Sequence, residues 1–500
     1  MIRRRDVLAG AAAMALLGPG AARAEASTSL LEEARRRASR PFENLSPPLP
    51  APFAGLSYDA YRGIRPIPGR AAMLPHGPDY ALDLLPPGLF FPDPVRIDRD
   101  MGNGPESIAF GPDLFDFDSR YFGDIPATAP GAGFSGLRLR HALNAPGRMD
   151  EVLVLQGASY FRAIGQAMVY GLSARGVAIG TGGPAPEEFP RFTDLRLHAA
   201  EGGTVRIEAI IDGPSLAGHL EMTLRPGPQT VTEMAVTLLP RREIADIGVA
   251  PLTSMYLKGP LRASVSDDFR PRVHDSDLLL IENGSGERLW RPISNPARIE
   301  TSAFLDADPV SFGLFQTPRQ FEDFEDTEAR YHDRPSAIVR PSGPWGRGAV
   351  MLVEIPTGDE FMDNIVAFWR PEAPLVPNTE YRFDYSIIWT RDAPANAGDR
   401  AILQSRSGRE HNRPGARRYV IDIAGSPEGL APEVTGPASA AIEGLGLFPL
   451  PGGDGTRLTF LLLPGALDVA ELRVDLGAAG ASAASTVWVH RWTRARDGGV

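Results

Sequence analysis

Apolar and polar residues alternate with a period of two over residues 204–211, 218–224 and 230–239, a pattern that predicts three consecutive half-buried β-strands. Asp212-Gly213-Pro214 and Pro226-Gly227-Pro228 fall between them as turns. Strands at this spacing belong to a sandwich or a barrel. A helical period shows only over residues 30–38, rich in Leu, Glu, Ala and Arg, and in short pieces near residues 54–62. The other apolar runs are short and bounded by Gly or Pro. The Pro-rich run SPPLPAPF (46–53) reads as a rigid approach to the first strand, and no internal repeat of about 20 to 50 residues stands out.

Periodicity lapses over residues 390–410, TRDAPANAGDRAILQSRSGRE, which predicts a polar linker, with Ala401-Ile402-Leu403 as either a contact within it or an early strand. Two domains are therefore expected, over residues 25–390 and 403–497, joined by 391–402. The last hundred residues or so hold about seven short strands, among them 418–423, 456–463, 471–476 and 485–491, a number that fits an immunoglobulin-like sandwich. The expected class is all-β, a large N-terminal β-sandwich followed by a small one.

The first 24 residues change the compartment. Arg3, Arg4 and Arg5 precede Asp6-Val7-Leu8, an Ala-rich apolar run follows to about Leu17, and Ala22-Arg23-Ala24 makes a small-x-small cleavage site. The apolar run is too short for a permanent membrane helix. The paired arginines before Val7-Leu8 fit a twin-arginine export signal, with a general secretory leader as the alternative. The mature chain is expected to start near Glu25 and to work in the periplasm. The leader's four arginines and one aspartate carry +3, so removing it takes the net charge from −11 to about −14. That acidity argues against nucleic acid or anionic lipid as a partner. No cysteine occurs, which excludes disulfides and thiol nucleophiles. Lys258, the only lysine, reads as a solvated turn residue before Gly259-Pro260 rather than a Schiff-base former.

Some motif matches fail on context. Residues 131–136 satisfy G-x-G-x-x-G, but Pro126 and Pro130 precede them and LRLR follows, so neither the strand nor the helix of a dinucleotide site is there. Gly157-Ala158-Ser159-Tyr160-Phe161 lacks the second glycine of a nucleophile elbow. The eight histidines have no metal-binding spacing, and no metal or cofactor is assigned; a calcium site of loop carboxylates stays open.

Carboxylate chemistry remains. PRVHDSDLLL (271–280), ERLWRPISNP (287–296), EARYHDRPS (328–336) and EIPTGDEFMDNIVAFWRP (354–371) each set carboxylates beside aromatic rings and arginines, groups suited to a sugar's hydroxyls and apolar face. Glycoside hydrolysis needs one carboxylic acid for the leaving oxygen and one carboxylate for water or direct attack. Asp359, Glu360 and Asp363 crowd together before the apolar run 365–369, which can raise one of their pKa values. Asp275 and Asp277 flank Ser276, and on a strand both point to one face. Duller roles compete: Asp363-Asn364 as a turn before a buried strand, and Asp275 tied to Arg272 or to backbone amides. At least one of Phe368 and Trp369 belongs to the core. Trp290 beside Arg291, Trp345 between Pro344 and Gly346, and Tyr160 beside Arg162 are better placed to stack on sugars.

These four segments, with DEVLVLQGASYFRAIGQAMVYGLSARGVAI (150–179) and IGVAPLTSMYLKG (247–259), resemble in order the signature runs of the periplasmic glucan biosynthesis proteins, G and D types, over about residues 41–492. The resemblance implies a large sandwich related to sugar mutarotases, and action on linear β-1,2-glucan as an inverting hydrolase. It places the acid at Asp363 and the base at Asp275, with Tyr331 and Glu360 orienting the sugar or the proton path. Asp277, Tyr160, Arg162, Trp290, Arg291 and Trp345 are further candidates for contact with substrate. A transglycosylase and a non-catalytic glucan chaperone are the alternatives. β-Glucan is the expected partner, with a membrane glucan synthase and a second copy of the chain as further candidates. The leader leans towards the D type. Leu278, where a glycine is expected, and Thr327 and His332, where Leu and Glu are more usual, depart from the pattern and bear on substrate detail.

Overall fold

The computed structural model describes residues 29–44, 48–261, 267–392, 401–477 and 486–498. The leader, Ser46 and Pro47 of the Pro-rich run and Ser485 lie outside them. The alternating stretches form the strands Val205–Asp212, Leu216–Arg225 and Thr230–Pro240, which pair antiparallel in sequence order. Tyr381–Thr390 and Ser336–Pro341 continue from them in a 14-stranded sheet. Facing it is an 11-stranded sheet. Its consecutive strands include Gly136–Ala145, Arg148–Gln156, Tyr160–Ala163, Ser173–Arg175, Ile247–Ser254, Ile365–Pro371 and Arg347–Glu354. One large apolar core lies between the two, filled by residues such as Leu139, Leu155, Ile207, Met234, Leu252, Trp369 and Trp389. The chain is all-β, as its alternation predicts.

Helix is scarce. Leu30–Ala38 is capped by Ser29, whose Oγ accepts from the Glu32 N–H at 3.2 Å. It lays Leu30 and Ala34 on Ile210 and Leu239 of the large sheet's outer face. Tyr58–Arg62 is a single short turn capped by Ser57.

Seven strands lie beyond Ile402 among the described residues. The stretch read as a linker is shorter than its polarity suggests. Ile402–Arg409 is a strand paired with Arg417–Ala424, while residues 393–400 lie outside the described set. Its polar side chains are tolerated because the strand is at the edge of a four-stranded sheet. The remaining C-terminal strands join the large sheet. Thr486–Thr493 runs parallel to Arg288–Pro292, with Trp488 opposite Trp290. A second core forms between the small sheet and these strands, and it takes Leu278, Trp290 and Phe315 from the large sheet together with Tyr419, Phe460 and Trp488. Leu278, the unexpected residue after the HDSD run, is thus a core side chain.

Candidate active site

On the 11-stranded sheet, alternation sends Arg138 and Arg140 to one face of their strand, and Val154 with Gln156 and Tyr160 with Arg162 to the same side of theirs. These side chains line a cavity of about 1350 Å³. Its opposite wall comes from the segment around Tyr61–Pro68 and from Phe90 and Phe91, and Asp363 reaches it from the turn before Ile365–Pro371.

That turn is held by the residue after the acid. The buried Asn364 accepts from the Tyr256 N–H (2.8 Å) and donates to the carbonyls of Tyr256 (3.0 Å) and Ile355 (2.8 Å). Asn364 therefore does the structural work, and Asp363 is left at the cavity with 31% of its side chain exposed and one long contact, from Arg162 Nη2 at 3.4 Å. Desolvation pushes the Asp363 carboxyl above the ordinary carboxylate range; the Arg162 charge opposes the shift and the Asp275 charge adds to it.

Asp275 lies behind this front, 4% exposed. Its backbone N–H donates to the Met255 carbonyl at 2.8 Å, and its Oδ1 accepts from Arg334 Nη1. The Arg334 guanidinium lies 4.2 Å from the centre of the Tyr331 ring. It fits because residue 171 is glycine, where a Cβ would come within 2.8 Å of the Arg334 side chain. The Tyr331 hydroxyl donates to Glu360 Oε2 at 2.5 Å, and Arg270 Nη1 donates to the same oxygen at 2.7 Å and to Asp326 Oδ2 at 2.8 Å. Burial and the hydrogen bond to Glu360 push the Tyr331 hydroxyl pKa up, so the group stays a donor. Asp268 closes the network between Arg270 and Lys258 Nζ, 3.3 Å away. Lys258 is thus a buried ion-pair member rather than a solvated turn residue. His274 stacks flat on Tyr256 (5.2 Å, 5°) and contacts Gln316 Oε1 through Nδ1, which supports the segment carrying Asp275 from below.

The structure brings together Asp363, Asp275, Tyr331, Glu360, Tyr160 and Arg162. Tyr160 rests against Arg175 (4.7 Å), and burial raises its hydroxyl pKa to about 12. Four other candidates lie elsewhere. Asp277 does not share a face with Asp275, because residues 275–277 are an irregular link between Val273–His274 and Leu278–Glu282. It accepts from the Thr317 N–H (2.8 Å) and hydroxyl, and lines a separate pocket of about 190 Å³ with Trp290. Trp290 is buried in the second core. Trp345 packs into the main core against Trp369 and Tyr385. Arg291 is buried in an ion pair with Glu354, Nη2 to Oε2 at 2.7 Å. An aromatic or arginine beside polar residues has the same local pattern in a core as in a cleft, so sequence does not separate the two.

Sequence reasoning missed a second set of cleft residues. Arg140 donates to the buried Asp83 (2.7 Å) and to Glu151 (2.9 Å), and Arg138 donates to Glu151 (2.6 Å). The Arg138-Leu139-Arg140 alternation was the available signal. The Tyr170 hydroxyl is buried at the cavity edge with no hydrogen-bond partner among the described residues, and burial raises its pKa.

Fold and site together define an all-β protein with a large cavity of mixed polar and apolar lining, an acidic group raised in pKa at its wall and a hydrogen-bonded arginine–carboxylate network behind it. The chain belongs to the periplasmic glucan biosynthesis protein family, MdoG, whose profile matches residues 26–492. It is 41% identical to glucans biosynthesis protein G of Vibrio cholerae serotype O1 over 467 residues, 92% of this chain and 85% of that one. It is 38% identical to glucans biosynthesis protein G of Shewanella frigidimarina over 474 residues, 93% of this chain and 84% of that one. A solved polysaccharide lyase aligns over 71% of this chain and 44% of that one at 11% identity, but its TM-score of 0.19 carries no argument. Membership places the protein in the periplasm and its work in glucan biosynthesis. The relatives named carry the G designation; the lean towards the D type rests on the leader alone.

Proposed function

We propose that the protein hydrolyses linear β-1,2-glucan with inversion at the anomeric carbon. The observation that carries this reading is Asp363: a carboxyl at the wall of a cavity large enough for several sugar rings, with its pKa raised by burial and by the charge of Asp275. In the proposed step, protonated Asp363 gives its proton to the glycosidic oxygen as the C1–O bond breaks. Water attacks C1 from the other face and loses a proton towards Asp275. At 4% exposure Asp275 is too deep to meet that water directly, so the proton passes through intervening hydroxyl or water, and Arg334 beside Asp275 holds it as an acceptor. Tyr331 and Glu360 fix the path's geometry by their mutual hydrogen bond. In this reading export is by the twin-arginine route.

A transglycosylase uses the same acid with a sugar hydroxyl in place of water, and a glucan chaperone for a membrane synthase uses the cleft without chemistry. Incubating the mature protein with linear β-1,2-glucan and resolving the products by chromatography and mass spectrometry separates the three. New shorter reducing chains support hydrolysis, cyclic products without added water support transfer, and intact polymer that is nonetheless bound supports the chaperone.

A further inference from the structure

The turn LPPGLFFP, residues 85–92, holds two adjacent phenylalanines that both border the cavity but differ in exposure. Phe91 is half-buried, its ring centroid 6.1 Å from that of Tyr61 and its edge against Gly157. Phe90 points into the cavity that Asp363 also lines, and is 81% exposed. The backbone is bent to present it. Leu89, a non-glycine residue, has φ 52°, and Gly88 has φ 132° at a position where a Cβ would come within 2.8 Å of Leu56. A left-handed conformation at a residue such as leucine is strained and persists only where its surroundings over-determine it. Here they do so. Prolines flank the turn, and the Pro86 carbonyl accepts from Ser135 Oγ (2.7 Å) and from the Tyr61 hydroxyl (3.1 Å), both of which accept from Gln156 Nε2.

A lone exposed apolar side chain on a convex surface needs no explanation. An aromatic ring held by a strained, pinned turn in a cleft that also carries Arg138, Arg140, Arg162, Glu151 and Asp363 does. The occupant that matches both is flat, with an apolar face and a polar rim, which describes a pyranose ring. We infer that Phe90 is a stacking platform for one glucose unit of the glucan, with the charged groups of the sheet meeting the hydroxyls. This rests on the hydrolase reading above. Because the turn is fixed before substrate arrives, the ring's ordering is complete on folding and binding does not have to supply it.

All six tryptophans are buried, none more than 9% exposed, so Phe90→Trp introduces a single exposed indole at the proposed platform. With a linear β-1,2-glucan of defined length as the probe, that indole is expected to shift its emission to the blue and to become protected from iodide quenching. Phe90→Ala is expected to weaken glucan binding about five- to tenfold by calorimetry, the scale of an uncovered aromatic face, and to raise KM with little change in kcat. Unchanged quenching in Phe90→Trp, or unimpaired binding in Phe90→Ala while the parent binds, overturns the platform and leaves the hydrolase reading standing. Absence of glucan binding by the parent protein sinks both.

Discussion

Replacing Arg291 by methionine tests whether it holds the fold or the sugar. The side chains of Arg291 and Glu354 are 2% and 0% exposed. Glu354 Oε2 takes the Arg291 guanidinium at 2.7 Å, while Oε1 accepts from the Ser294 N–H (2.8 Å) and hydroxyl (3.1 Å). Methionine fills much of the same volume but leaves a dry carboxylate with two neutral donors. Removing one partner of a buried pair costs about 3 to 5 kcal/mol. Arg496 moderates the loss, since its Nη1 holds the Ser294 hydroxyl at 2.6 Å and its charge interacts with Glu354. The lower end, about 3 kcal/mol or roughly a hundredfold in the folding equilibrium, is expected. Arg291→Met with Glu354→Gln, which carries no charge, should return most of the loss at neutral pH. The assay is the urea midpoint by circular dichroism, with glucan affinity measured on the folded fraction. A single variant as stable as the parent, or one that loses glucan affinity without losing stability, refutes the structural role and restores Arg291 as a sugar ligand.

Asp363→Asn should lower turnover by on the order of 10²-fold or more while glucan binding is retained, and near-normal turnover excludes Asp363 as the acid. Because burial raises the folded-state pKa of Asp363, its stabilising contribution is complete below the unfolded pKa and lost as pH rises through the folded one. At neutral pH the asparagine variant should therefore melt no lower than the parent, a check by thermal denaturation. In the parent, kcat should fall as pH rises through that same raised pKa. The first product should carry the inverted anomeric configuration by NMR; retention would demand a covalent intermediate and carboxylates only about 5 Å apart. Arg4→Lys with Arg5→Lys should leave the precursor in the cytoplasm, and normal export of that variant, followed by fractionation and N-terminal sequencing, would overturn the twin-arginine assignment.

What could be read in advance was what a local pattern determines. The alternation in residues 204–239 became strands within a residue or two of the expected bounds, and the Leu30–Ala38 helix has its predicted limits. The resemblance pointed to Asp363, which the fold sets at the cavity wall, but the anchoring of its turn by Asn364 to Tyr256 was not legible, since the partners are 108 residues apart. The same distance problem hid Arg334, Arg270 and Asp83, whose meaning lies in partners from other strands. Trp290, Arg291 and Trp345 failed for a different reason. An amphipathic side chain satisfies the same composition rule at a cleft and in a core; the register of Arg288–Pro292 against its neighbours decides for Trp290 and Arg291, and packing on Trp369 and Tyr385 decides for Trp345. Asp277 failed because a break in the strand cancelled the two-residue period on which the expectation stood.

The parallel pairing of Arg288–Trp290 with Thr486–Trp488 joins residues almost two hundred positions apart. Until that last long strand docks, the large sheet has an open edge at Arg288–Pro292, and Leu278, Trp290 and Phe315 face water instead of Tyr419 and Phe460. High contact order of this kind slows folding and delays completion until the end of the chain has been made. The C-terminal strands therefore behave as a closing clasp rather than as an exchangeable module: cutting the chain before Ile402 should yield a truncated sheet prone to edge-to-edge association, not a working catalytic half.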